Sequence, residues 1–136
     1  MTRENIKINI NEEIKRATAA IDAAVLLSDK SLFNDAVSRL YYFLLYHIRA
    51  LLLTKGLEAR SHEGALRLFG LHFVKEGLFK TKVSHIFTKL MKYREEADYN
   101  PSYEFTKDDF IDLKKETEEL AGKIKAYLIK KGYLSK

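Results

Sequence analysis

Cysteine and tryptophan are absent from this 136-residue chain, proline occurs once, at Pro101, and glycine six times. Without cysteine there are no disulfides, no thiolate nucleophile, no Cys-based zinc finger and no Cys-ligated iron–sulfur cluster. No stretch approaches the roughly 18 uninterrupted apolar residues of a membrane span. The start, MTRENIKINI, has no apolar signal-peptide core. A cytoplasmic protein with no membrane partner is expected. Glutamine is missing too, and Lys and Glu dominate the charges, a composition that leans toward a thermophilic source.

What is present is 46% hydrophobic and 32% charged residues, the balance of a folded chain with one real core. A single domain over residues 1–136 is expected. The net charge of +5 is unevenly spread. Residues 75–94 hold six Lys or Arg (Lys75, Lys80, Lys82, Lys89, Lys92, Arg94) against one acid, Glu76, whereas residues 95–119 hold ten acids against three lysines. The basic segment is either a solvated helix face or a surface for phosphate backbones.

The punctuation is helical. Asn11, followed by Glu12 and Glu13, reads as the N-cap of a first helix whose stripe (Ile14, Ala17, Ile21, Ala24, Val25) stops at Ser28. Ile6, Ile8 and Ile10 alternate as in a strand but have no second run to pair with, so they read as an extended arm or lead-in. Ser31 reads as the cap of a second helix running to Lys55 and Gly56, and Ser61 as the cap of a third ending near Gly77. A fourth spans about 80–97, ahead of Asn100-Pro101, and Thr106 with Asp108 and Asp109 opens a fifth that Gly132 closes. Short connections make this an all-α, up-and-down bundle of about five helices with a four-helix core.

The second helix is apolar in nearly every direction, the mark of a buried central helix. One sector differs: Arg39, Tyr42, Tyr46 and Arg49 fall within about 80° of one another at 100° per residue. Arginines on such a helix require partners, from carboxylates of other helices, a second subunit or an anionic ligand. Of the four histidines, His47 points along the apolar Leu40–Leu44–Leu51 face as a packed imidazole, and His62 follows the Ser61 cap. There is no HxxxH or HExxH, no Gly-rich phosphate loop and no GxSxG elbow, so neither metal nor cofactor is expected.

The fourth helix ends in KYREEADYN. Arg94 and Asp98 share a face and can pair, worth about 0.2–0.5 kcal/mol at a surface. Arg94 and Tyr99 stand about 140° apart on a continuous helix, so they converge only if the helix stops near Ala97.

The stretch NDAVSRLYYFLLYHIRALLLTKGLEARSHEGALRLFGLHFVKEG, with KYREEADY beyond it, resembles the HEPN family of small helical bacterial and archaeal proteins. It is most similar to the subgroup with a tyrosine pair on the second helix (Tyr41–Tyr42), a Ser-His-x-Gly start to the third (Ser61–Gly64) and R..ADY at the end of the fourth (Arg94, Ala97-Asp98-Tyr99). The resemblance covers roughly residues 12–125. It implies a homodimer formed through the central helices, often encoded beside a minimal nucleotidyltransferase in a toxin–antitoxin pair. In the active ribonucleases of the family an Arg-x4–6-His motif, one copy per protomer, cuts RNA without metal. Here Arg94 matches the arginine, but the histidine position holds Tyr99.

Three readings follow. The first is a dimeric module binding nucleotide or RNA phosphates near Arg94 and Arg39, with Tyr42, Tyr46, Arg49 and His62 as further binding residues. The second is an active metal-independent ribonuclease, with Arg94 on the phosphate and Asp98, Tyr99 or a histidine from elsewhere moving the proton; it demands Arg94 in an open basic cleft. The third is a structural subunit in which an internal carboxylate, Asp98 or Glu95, consumes Arg94; a structure that seals Arg94 inside the protomer would sink the first two.

Overall fold

The computed structural model describes residues 2–136, and every regular element among them is a helix. These are α1 (Arg3–Asp29), α2 (Phe33–Leu53), α3 (His62–Phe69), a π-helical turn (Gly70–Val74), α4 (Thr81–Tyr99) and α5 (Lys107–Lys130). The expected all-α bundle of five helices is what forms. α2 is its axis: α1, α4 and α5 all pack on it, and α3 sits against α2 and α4. Leu40, Leu44, Ile48, Leu51 and Leu52 have no exposed surface, and each such side chain contributes about 1.5–3 kcal/mol by leaving water. That is why a helix apolar almost all round became the centre.

Several helix boundaries differ from the sequence reading. The N-terminal residues are not an extended arm: α1 begins at Arg3, capped by Thr2, whose hydroxyl accepts from Asn5 N at 3.1 Å. Ile6 and Ile10 are also four apart, a helical spacing, and both turn to the core while Ile8 stays exposed. Asn11 is therefore no cap. Its side-chain amide donates to Lys7 O (2.7 Å) and Tyr133 O (3.2 Å). With Arg3, which donates to Lys131 O at 2.7 Å and Tyr133 Oη at 3.1 Å, it ties the start of α1 to the far end of α5. Nor does Ser31 cap α2: it lies at φ 60 in the turn, and Leu32 stands at the cap position with no side-chain bond.

The third helix breaks sooner than expected, passing at Gly70 into the π-turn. Lys55 pins that turn, donating to His72 O at 2.6 Å, pairing with Glu76 and lying 4.7 Å over the Phe73 ring. The expected caps at Ser61 and Thr106 are present. Ser61 Oγ accepts from Gly64 N at 2.9 Å, and Thr106 forms a reciprocal capping box with Asp109. After α4, Asn34 of α2 grips the connection by donating to Tyr103 O (2.7 Å) and accepting from Phe105 N (2.9 Å). That grip fixes the end of α4 against the start of α2.

Candidate functional site

Arg94 is the one member of the basic segment that turns inward. Lys82 and Lys89 line a cleft of about 560 Å³ between α4 and α5, among Asp112, Glu116 and Glu119. Lys89 pairs there with Glu116, so acids from α5 offset that part of the basic stretch. Arg94 is only 8% exposed, three turns into α4 on the face toward α2 and α3.

Its partners come from three helices. Nη2 contacts His62 Nδ1 at 3.2 Å. Arginine can only donate, so Nδ1 is the acceptor and His62 is neutral, carrying its proton on Nε2. Nη1 lies 3.6 Å from Asp98 Oδ2, a loose ion pair longer than a direct hydrogen bond. The guanidinium stands 5.4 Å from the centre of the Tyr41 ring and 5.8 Å from that of Tyr99, both within cation–π range. Nε is buried and has no partner among the described residues. The open basic cleft that a ribonuclease demands is thus not formed: Arg94 is buried, though 8% of it still reaches the surface, and its carboxylate partner, Asp98, pairs only loosely.

α4 continues through Tyr99, so the expected condition for convergence, an end near Ala97, is not met. Arg94 and Tyr99 approach anyway. The angle of about 140° separates only the directions in which the two side chains leave the helix, and a long arginine beside a helix's last residue reaches across that gap. Tyr99 itself is 75% exposed.

Around this knot the α2 tyrosines form an aromatic layer. Tyr41 has no exposed surface; it stacks on Phe87 (5.8 Å, 12°), meets Tyr42 edge-on (5.2 Å) and lies 5.3 Å from the His62 ring. Tyr42 meets His62 edge-on at 6.0 Å and carries Arg39 over its face at 4.5 Å. Burial, then the charges of Arg94 and Arg49, hold the His62 pKa below the usual imidazole value. Burial opposes the charge on Arg94, but Tyr42, Tyr41, Tyr99 and Asp98 together favour it and keep the guanidinium protonated.

Arg94, Asp98, Tyr99, His62, Tyr42 and Arg39 are therefore brought together. Tyr46 and Arg49 stand further along α2. Tyr46 takes Arg16 of α1 over its ring at 4.3 Å, and Arg16 is paired with Glu13 at 3.0 Å. Arg49 faces a cleft of about 390 Å³ containing Glu12, Glu13 and Glu58. The sequence reading left out Tyr41 as a member of the site, although the Tyr41–Tyr42 pair was its visible signal. No group of three or more His, Asp or Glu able to hold a metal ion occurs among the described residues, and no helix among them is long and apolar enough to cross a membrane.

A HEPN-domain model matches residues 10–127. The chain belongs to the HEPN family. Two similar proteins come from Methanocaldococcus jannaschii, and each is provisionally named a toxin. One is 37% identical over 73% of this chain and 74% of its own length, the other 30% identical over 94% and 87%. A UPF0332 protein of Thermotoga maritima is 35% identical over 72% of this chain and 74% of its own. In this HEPN protein the imidazole beside Arg94 arrives from the start of α3.

Proposed function

We propose that this HEPN protein is a toxin-type module that recognises the phosphates of RNA or a nucleotide at the Arg94 cluster. It works as a cytoplasmic homodimer beside a minimal nucleotidyltransferase that serves as its antitoxin. The observation that carries the reading is the convergence on Arg94 of His62, Tyr41, Tyr42 and Tyr99 from three helices. A cation bordered by aromatic rings suits a phosphate with a base stacked beside it. The toxin names of two relatives support the same direction.

The test is fluorescence anisotropy with a labelled single-stranded RNA in EDTA over a salt series. Wild type binds with an affinity that falls as salt rises, and Arg94→Ala weakens binding about tenfold or more and lowers the salt slope by about one. Equal binding by wild type and Arg94→Ala would sink the reading, as would no binding by wild type at low salt.

The His62–Arg94 contact of 3.2 Å motivates a second reading, cleavage of RNA without metal, which requires the 8%-exposed Arg94 to be uncovered before it meets a phosphate. There His62 first swings off Arg94, which frees Nδ1 to take the proton of a 2′-hydroxyl, whose oxygen attacks the adjacent phosphorus. Arg94 bears the charge that develops on the phosphoryl oxygens, and the bond to the 5′-oxygen breaks as that oxygen is protonated by the Tyr99 phenol. The products are a 2′,3′-cyclic phosphate and a 5′-hydroxyl. Cleavage in EDTA by wild type but not by Arg94→Ala or His62→Asn supports this version. Binding without turnover restricts the function to recognition.

A further inference from the structure

Natural folds rarely leave a buried polar atom without a partner, and such atoms gather where a ligand is later to bind. Two of them belong to residues in contact, the hydroxyl of Tyr41 and Nε of Arg94, whose guanidinium stands 5.4 Å from the Tyr41 ring centre, with Arg49 Nε a third unpaired atom whose charge reaches the same hydroxyl. The Tyr41 ring cannot turn its hydroxyl elsewhere. Phe87 lies parallel to one face, and Tyr42 and His62 pack round it. A phenylalanine would keep those ring contacts, so the oxygen adds nothing evident to the packing.

We infer that Tyr41 is a ligand-binding residue of the Arg94 site, its hydroxyl donating a hydrogen bond to an oxygen of the phosphoryl group that Arg94 holds. The inference rests on the reading of Arg94 as the phosphate-binding cation. The local field suits an anion: the charges of Arg94 and Arg49 both act on the hydroxyl, and α3, with its positive dipole end, begins at His62, whose ring lies 5.3 Å from that of Tyr41. Tyr42 and Glu63 act against it. Burial raises the hydroxyl well above the ordinary tyrosine value, so it remains a donor at any working pH. The His62 ring touches both residues, 5.3 Å from the Tyr41 ring and 3.2 Å from Arg94 Nη2. It is only partly buried and is bonded to Arg94 through one nitrogen, so turning it aside admits an oxygen to both unpaired donors.

The experiment compares wild type, Tyr41→Phe and Arg94→Ala, as full chains, in thermal melts and in binding to the labelled single-stranded RNA in EDTA. Tyr41→Phe is expected to melt at the same temperature as wild type or higher, because it removes a buried hydroxyl that has no partner. Its Kd is expected to rise about tenfold, the loss of one hydrogen bond to a charged group. Unchanged affinity in Tyr41→Phe beside a weakened Arg94→Ala overturns this inference and leaves the phosphate reading standing. No binding by wild type removes both. A fall in melting temperature together with affinity also overturns it, since the hydroxyl would then be serving the fold.

Discussion

Two histidines of this chain differ only in where the fold puts them, and they take opposite roles. His47, inside α2, donates from Nδ1 to Phe43 O at 2.9 Å, while Nε2 is buried without a partner among the described residues. Burial, reinforced by the charge of Lys125, lowers its pKa to about 4. The unfolded imidazole, near 6.5, therefore takes up its proton first as the pH falls. The stability that neutral His47 permits is complete above about pH 6.5 and is lost progressively down to about pH 4, for a total of roughly 3 kcal/mol. Urea titrations at pH 7.5, 5.5 and 4 should show that loss, and His47→Leu should remove a corresponding part of the pH dependence. If His47→Leu keeps the whole slope, other groups carry it. His62 is shifted in the same direction but sits at a helix start beside Arg94, where its neutral nitrogen is put to use. His62→Asn should leave stability nearly intact and change RNA binding or cleavage.

Among the elements, the connection from α4 to α5 shows how a distant side chain can set the site. Asn34 makes both of its bonds to residues about seventy positions away, and Phe105 packs edge-on with Tyr93 of α4 at 5.5 Å. Asn34→Ala should lower stability by about 1–2 kcal/mol and also weaken RNA binding, because the end of α4 that carries Asp98 and Tyr99 loses its anchor. Thr106→Ala, which removes the hydroxyl of the α5 capping box, should cost about 1 kcal/mol with little effect on binding. Paired melts and anisotropy separate the two cases. Elements of this kind divide what the sequence could show from what it could not. The Ser61 and Thr106 caps and the central α2 are local facts, written in a few adjacent residues. The helical start of α1 was hidden because Ile6, Ile8 and Ile10 satisfy both a two-residue and a four-residue period, and the deciding partner, Tyr133, lies at the other end of the chain. For the same reason Arg94 and Tyr99 were legible as a motif, whereas the meeting of Arg94 with His62 spans thirty-two positions and two helices.

At the scale of the molecule, α2 does two jobs. It is the axis on which α1, α4 and α5 are packed, and one edge of it, Arg39, Tyr42 and Tyr46, remains only part-buried. The proposed homodimer would use that edge. Light scattering after gel filtration should then give twice the 15.8 kDa protomer mass, and Tyr46→Glu should shift it toward the single value. A wild type that runs as a monomer throughout the micromolar range would remove the dimer from the proposal. The division of labour among helices has a dynamic counterpart. Most of α2 is buried under α1, α4 and α5, so its inner amide protons should exchange with deuterium only when the whole chain unfolds. α3 is eight residues long, lies against α2 and α4 and ends in a π-turn held by Lys55. Its amides should exchange through small local openings that leave Arg94 in place. The imidazole and the guanidinium would thus belong to separate cooperative units, and the lifetime of the bond between them would be set by the looser one.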